Sequence, residues 1–417
     1  MGVVLALAMV SGCSLTHERG GGSEIPDSGP FVPPDAFAFR HDAAVPPPVD
    51  AFIPFVVAPH GPATIVPNQG GRRLSAPQLV PIFFADDPDR ATLEAHAHWM
   101  ATSSWLPTVG AEYGIGAATV LGIVRLPQAA PNTIDTVQME ALLAQGMANH
   151  TIPVPASGQL DEVLYILYFP AHTTISDPMI GTSCTAFAGY HTETTTSDGR
   201  AFSYAVIPTC GASSSFLTDV EAREEAVAHE VIEAATDPLW SSSPGWAFSQ
   251  TATDLSPWLL VGAELADLCE YRVGENAVVR EAGFVGARVW SNAAAALNDR
   301  DPCAPAPLGE PYQSVGVTPS TIQGVPIGGS TTFALDAWSN VPVASFRIDL
   351  AFNPTGMMGQ FVPDATLDRN IVNNGQHAVL TVTVPPTAIS GDYGIVYIQV
   401  TDSAGNSDDV PVGVFAE

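Results

Sequence analysis

The pattern of apolar and polar positions divides the chain into three stretches. Up to about residue 67 no period holds: Pro, Gly, Ala and Asp dominate, with Val45-Pro46-Pro47-Pro48 and an Asp-Ala-Phe repeat at Asp35 and Asp50. Such a stretch buries too little apolar surface to fold alone, so residues 14–67 read as a tether. From Leu74 to about residue 305, strand-like and helix-like runs alternate. Residues 78–84 and 163–169 are short apolar runs that fit buried strands, and residues 204–208 form a shorter one. Pro81 inside the first run predicts an edge position or a bulge. Helices are predicted over 89–99, 133–150 and, most clearly, 218–236. In the last, Val220, Val227, Val231 and Ala234 make an apolar stripe. Asp219, Glu221, Glu224 and Glu225 crowd its start, where the helix dipole favours anions, and Pro238 stops it. This alternation predicts an α/β or α+β domain over residues 68–308.

Beyond about Pro311 the period shortens. Runs at 331–335, 345–352, 378–384, 395–402 and 410–415 are separated by Gly, Pro, Asn and Asp, which predicts a small all-β sandwich over residues 309–417. Ser390-Gly391-Asp392-Tyr393 ahead of a strand resembles immunoglobulin-like modules of bacterial surface proteins. No catalytic cluster lies there, so a spacer or adhesion role is expected of it.

Residues 3–10, Val-Val-Leu-Ala-Leu-Ala-Met-Val, are too few to span a bilayer and suit the core of a signal peptide. Val10-Ser11-Gly12-Cys13 follows and resembles the lipobox of bacterial lipoproteins, which implies cleavage before Cys13 and a lipid on its thiol. The absence of Lys or Arg before the apolar run departs from that pattern. Ser14, rather than Asp, after the cysteine implies the outer membrane of a Gram-negative envelope. Residues 1–13 are thus expected to be signal and lipidation site, and the lipid the membrane anchor.

Removing Cys13 leaves Cys184, Cys210, Cys269 and Cys303, enough for two disulfides in an oxidising compartment, with three possible pairings. Sequence separation favours Cys184 with Cys210 and Cys269 with Cys303. With 14 basic against 43 acidic residues the formal charge is −29, which excludes nucleic acid as a partner and suits metal cations.

The candidate chemistry lies on the third helix, in Ala228-His229-Glu230-Val231-Ile232-Glu233-Ala234-Ala235-Thr236-Asp237-Pro238. His229 and Glu233 are i and i+4, one turn apart on one face, so an imidazole and a carboxylate can share one ion. Glu230 is the neighbour that H-E-x-x-H metallopeptidases use as general base, and here Glu replaces the second His. Zinc is the expected ion. Carboxylate ligands shift preference toward harder cations, so calcium is the alternative. A further ligand is expected from Glu264 or Asp267, which at i and i+3 would share a face of a later helix. Asp237 is a lesser candidate, about 12 Å beyond His229 along a straight helix. The competing reading treats His229, Glu230, Glu233 and Asp237 as an ordinary solvated polar face. Against it, Glu233 and Asp237 sit near the helix C-terminus, where the dipole disfavours anions by roughly 0.3–1 kcal/mol each, a cost a cation would offset.

The segment His229 to Pro238 resembles the H-E-x-x-E-A-x-T-D-P segment of bacterial relatives of the plant phosphate-induced, Exordium-like proteins. Residues 184–191, Cys-Thr-Ala-Phe-Ala-Gly-Tyr-His, residues 204–210 and residues 264–269 resemble three further pieces of that family, in the same order. The resemblance covers about residues 75–305. It implies a zincin-like domain and adds His191 as a candidate ligand. Residues 251–258, Thr-Ala-Thr-Asp-Leu-Ser-Pro-Trp, look like an insertion beside the site.

Two function classes follow. In one, the protein is a surface zinc-dependent hydrolase acting on a peptide or protein, with Glu230 as general base. In the other, it is a non-catalytic envelope protein that binds a wall glycan or protein, with a structural ion or none. An open site beside a cleft favours the first, and a closed, saturated site the second.

Overall fold

A computed structural model of the chain describes residues 55–155, 160–212, 216–248, 255–270, 272, 274–307, 309–352 and 359–417. The signal-like segment, Cys13 and residues 14–54 of the tether lie outside the described residues, as do residues 251–254 of the insertion at 251–258.

The first domain is built on a mainly parallel sheet. Its strands are β1 (Gln78–Phe83), β2 (Thr119–Val120), β3 (Val124–Arg125), β4 (Val163–Tyr168), β5 (Tyr190–Thr195) and β6 (Ala201–Ile207). The order is β2-β1-β4-β6-β5, with β3 beside β1. Every pairing is parallel except β5 with β6, which makes β5 an antiparallel edge. Residues of β4 are buried throughout, as expected of a central strand covered on both faces.

Pro81 corrects one expectation. β1 is an interior strand, flanked by β4 on one side and by β2 and β3 on the other. β2 pairs with Gln78 and Leu79, and β3 with Ile82 and Phe83. Pro81 falls in the gap between these two short partners, so its missing N–H breaks no rung on that side.

Helices α1 (Arg90–Thr102), α2 (Trp105–Gly110), α3 (Thr136–Ala148) and α4 (Asp219–Thr236) pack on this sheet. α4 starts where its sequence directs. Thr218 and Glu221 form a reciprocal capping box, with Thr218 N donating to Glu221 Oε2 at 2.8 Å and Glu221 N to Thr218 Oγ1 at 3.3 Å. Arg223 then ties it to the sheet's end through two buried bonds to the Asp87 carboxylate, at 3.0 and 2.7 Å. A hairpin, β7 (Val278–Glu281) and β8 (Phe284–Ala287), covers its other side.

The second domain is a two-layer sandwich. One sheet is ordered β9-β11-β15-β13 (Gln313–Thr318, Ser330–Ser339, His377–Thr383, Asp364–Leu367). The other is β10-β17-β16-β12-β14 (Gln323–Val325, Ser407–Ala416, Tyr393–Thr401, Phe346–Phe352, Ile371–Val372). Phe333, Leu335, Leu380, Ile348, Ile398 and Val412 face each other across the layers.

The two domains are joined by a buried ionic network. Arg272 donates to both Asp301 oxygens at 2.6 Å and contacts Asp408 at 3.2 Å; Arg288 bridges Asp301 at 3.0 Å and Glu310 at 2.8 Å.

The tether's far end is also corrected. Residues 55–67 run along the folded body: Val66 is fully buried, and His60 stacks on Trp338 of the sandwich with ring centroids 4.0 Å apart. A few large side chains, placed where both domains offer a groove, suffice to hold a segment whose composition reads as unstructured. Cys184 pairs with Cys210 and Cys269 with Cys303, the pairing that sequence separation favours. Two disulfides point to an oxidising, extracellular type of compartment. Among the described residues no helix is long and apolar enough to cross a membrane.

Candidate metal centre

α4 is not a half-solvated helix. From Ala226 to Thr236 every residue is buried, because β5, β6 and the β7–β8 hairpin enclose it. The competing reading of a solvated polar face therefore fails: His229 is 4% exposed, Glu230 2%, Glu233 0% and Asp237 1%. Buried carboxylates at such density need partners or a cation.

His229 and Glu233, one turn apart, meet at 3.2 Å between Nε2 and Oε2. Asp267, at the start of the one-turn helix α5 (Asp267–Glu270), brings Oδ1 to 3.5 Å from His229 Nε2. One donor atom from each of His229, Glu233 and Asp267 lies within 4.8 Å of the other two, and the same holds for His191, Glu233 and Glu264. The two triads share Glu233. Either group could hold a metal ion.

The shared carboxylate is fixed in place. Its Oε1 accepts from the backbone amides of Ala266 at 3.2 Å and Asp267 at 3.1 Å, which leaves Oε2 toward the histidines. Glu264 and Asp267 do not share a helical face. Glu264 precedes the turn, and its amide donates to Asp267 Oδ2 at 2.9 Å, so one residue's side chain folds back on the other's backbone.

His191 comes in from the edge strand β5. Its Nδ1 lies 3.4 Å from Glu230 Oε2 and its Nε2 3.5 Å from Glu264 Oε1. Nε2 also lies 3.1 Å from the carbonyl of Asp237, the kind of second contact that sets the orientation of a ligating imidazole. Asp237 itself is outside both triads. The helix ends at Thr236, and the Asp237 carboxylate turns away to accept from Gly245 N at 2.8 Å.

Four buried atoms around this point have no hydrogen-bond partner: His229 Nε2, Glu230 Oε2, Glu264 Oε1 and Asp267 Oδ1. They belong to one imidazole and three carboxylates, the donor types that bind divalent cations. The separations of 3.2 and 3.5 Å match the edges of a tetrahedron with bonds of about 2.0–2.1 Å. The residues present therefore fit a cation.

The electrostatics agree. Burial alone would lower the pKa of His191, but Glu264, Glu230 and Glu233 outweigh it and raise it to about 10. His229 is likewise held well above the ordinary imidazole value, burial being outweighed by Glu233, Asp267 and Glu230. Burial and the Asp267 charge push Glu233 up to about 7, against the pull of His229. Without a cation the imidazoles act as counter-charges, the role a metal would take over.

Two glycines make the space. A Cβ on Gly189 would come within 2.8 Å of Glu230 Oε1, and one on Gly262 within 2.1 Å of the Asp267 carboxyl group. Neither stands out in the sequence. Gly189 was within reach, two residues before His191 in the Ala-Gly-Tyr-His run, but what it must clear is known only once α4 lies against β5.

No protein-family model matches the chain, and no curated protein matches it. Among solved structures it shows slight similarity to a GH5 xyloglucanase of Bacteroides ovatus bound to a XXXG heptasaccharide, with 14% identity over 25% of this chain and 19% of that one, at a TM-score of 0.16. The BIgI domain of the beta protein of S. agalactiae, bound to CEACAM1, is 16% identical over 25% of this chain and 97% of that one, at a TM-score of 0.18. The twitchin kinase region of C. elegans is 14% identical over 26% and 16%, at 0.17. The chain thus spans about a fifth or less of two of these three proteins, and similarities of this size carry no argument about fold or function.

Proposed function

We propose that the first domain is a metal-dependent hydrolase of the peptidase kind, carried outside the cytoplasm on an outer-membrane lipoprotein and joined to an immunoglobulin-like module. One observation supports it above the others: His229, Glu233 and Asp267 converge with donor separations of 3.2 and 3.5 Å, while Glu230, next to His229 in sequence, has a carboxylate oxygen without a hydrogen-bond partner.

His229 Nε2, Glu233 Oε2 and Asp267 Oδ1 would hold the ion and leave one position open. Bound zinc would supply Lewis acidity and lower the pKa of a water at that position. Glu230 would accept that water's proton, and glycine at position 189 leaves space for its carboxylate, since a Cβ there would come within 2.8 Å of Oε1. His191, 3.4 Å from Glu230, would help to orient its carboxylate. Glu233, held by two backbone amides, keeps the ligand frame rigid.

A second reading has its own support. His191, His229, Glu230, Glu233, Glu264 and Asp267 are all at most 7% exposed, which suits a closed structural cation in a binding protein of the envelope. The decisive experiment compares the full chain, purified without chelator, with Glu230→Gln and with His229→Ala. Zinc near one or more per chain, lost in His229→Ala, supports a metal centre. Peptide hydrolysis lost in Glu230→Gln with zinc retained supports the hydrolase. Zinc or calcium without hydrolysis of any peptide in a broad mixture favours the structural cation, and neither ion bound after micromolar supply of zinc and millimolar supply of calcium refutes both.

A further inference from the structure

The donor set around Glu233 is larger than one cation uses. A tetrahedral ion takes four donors, and His229, Glu233 and Asp267 with one open position complete it. Outside that set remain His191, Glu264 and Glu230. Glu264 Oε1 and Glu230 Oε2 have no hydrogen-bond partner, yet each points at the His191 ring, 3.5 Å from Nε2 and 3.4 Å from Nδ1 respectively. All three side chains are buried.

We propose that His191, Glu233 and Glu264 form a second divalent-cation site, so that Glu233 bridges a dinuclear centre. The proposal deepens the metal reading above and rests on it. With Glu233 Oε1 occupied by two amides, Oε2 is the bridging atom, 3.2 Å from His229 Nε2 and 4.0 Å from His191 Nδ1. One donor from each member of the second triad lies within 4.8 Å of the others.

Charge balance argues the same way. Glu230, Glu233, Glu264 and Asp267 bring four buried carboxylates together. A dication at the first triad offsets two of these four charges and His191 at most one more, so a buried negative charge remains, a costly arrangement. A second dication removes that excess. Two ions about 3.5–4 Å apart would also clamp both the attacking and the departing oxygen of a hydrolysed bond, which gives the paired arrangement a use.

The test counts metal. The full chain is equilibrated with excess zinc, desalted, and its zinc per chain measured by elemental mass spectrometry. The expected result is two ions in the native protein and one in Glu264→Gln, since Glu264 is not in the first triad. Should Glu264→Gln fail to fold, His191→Gln replaces it, with the same expectation. A readout without any variant is the electron paramagnetic spectrum of the manganese-loaded protein, where a spin-coupled signal is expected. One ion per chain in both native and variant, with an uncoupled signal, overturns the second site and leaves the first intact. Two ions retained in both variants overturn its assignment to these residues. No ion in the native protein overturns the metal reading itself.

Discussion

Gly262 and Asp267 occupy almost the same space: a Cβ on the glycine would fall 2.1 Å from the carboxyl carbon of the aspartate and from one of its oxygens. The backbone at Gly262 is therefore one wall of the site. Gly262→Ala is expected to displace the Asp267 carboxylate and weaken zinc binding by at least about 10-fold. Competition against a chelator of known affinity measures it. An unchanged affinity would remove Asp267 from the ligand set.

Glu230→Gln keeps the size and removes the base. Zinc content is expected to stay at the native value while hydrolysis falls by about 10²–10⁴-fold. A fall in zinc content would instead make Glu230 a ligand.

His96 offers a pH test away from the metal centre. It is buried on α1 and its Nε2 donates to the carbonyl of Val285 at 2.7 Å; on the other side of that residue the Val285 amide donates to Glu224 Oε2 at 3.0 Å. Burial lowers the His96 pKa from 6.5 to about 4 in the fold. The unfolded chain therefore takes up a proton that the folded chain refuses. This stabilising contribution is complete above pH 6.5 and is lost as the pH falls toward 4, by about 3 kcal/mol in all. Burial raises the Glu224 pKa to about 7, with the opposite sign, so the comparison must be with His96→Gln, in which Glu224 is unchanged. Urea denaturation at pH 7 and pH 4.5 is expected to show a smaller acid loss in the variant. Parallel losses would mean that His96 is protonated in the fold.

Asp301 accepts from Arg272 twice, from Arg288 and from the amide of Cys303 at 2.8 Å. Asp301→Asn leaves two buried guanidiniums short of their counter-charge, at a cost of about 3–5 kcal/mol. The expected loss appears in the denaturation midpoint. A change below about 1 kcal/mol would show that the network is solvated, as surface pairs are.

Much of the architecture was readable because local signals and burial agree. Residues 163–169 carry an apolar run with no alternation, and the strand they form is covered on both faces. The helix predicted over 218–236 forms as Asp219–Thr236, with Thr218 as its cap. Three things were not readable. The burial of the polar residues of α4 depends on the β7–β8 hairpin, some 50 residues later, and amphipathic periodicity says nothing of a second cover. Pro81 was misplaced because the gap between β2 and β3 is a property of the neighbours, not of β1. Within the site, spacing placed His229 and Glu233 on one face, but the pairing of His229 with Asp267 and of His191 with Glu264 follows from the turn at 264–267 and from the edge strand, neither of which has a period to read.

Residues 55–66 lie across both domains. Val56 and Ala58 bond to Asn374 of the sandwich, whereas Ala63 and Val66 bond to Asn298 and Asn292 of the first domain. In mechanical terms this segment is a lap joint. Tension applied at Phe55 would reach the sandwich and the first domain together, in shear along the strap, and would have to break several attachments before either domain could swing. Pulled from that end, the body would turn as one piece, with the candidate metal centre held at a fixed attitude to the direction of pull.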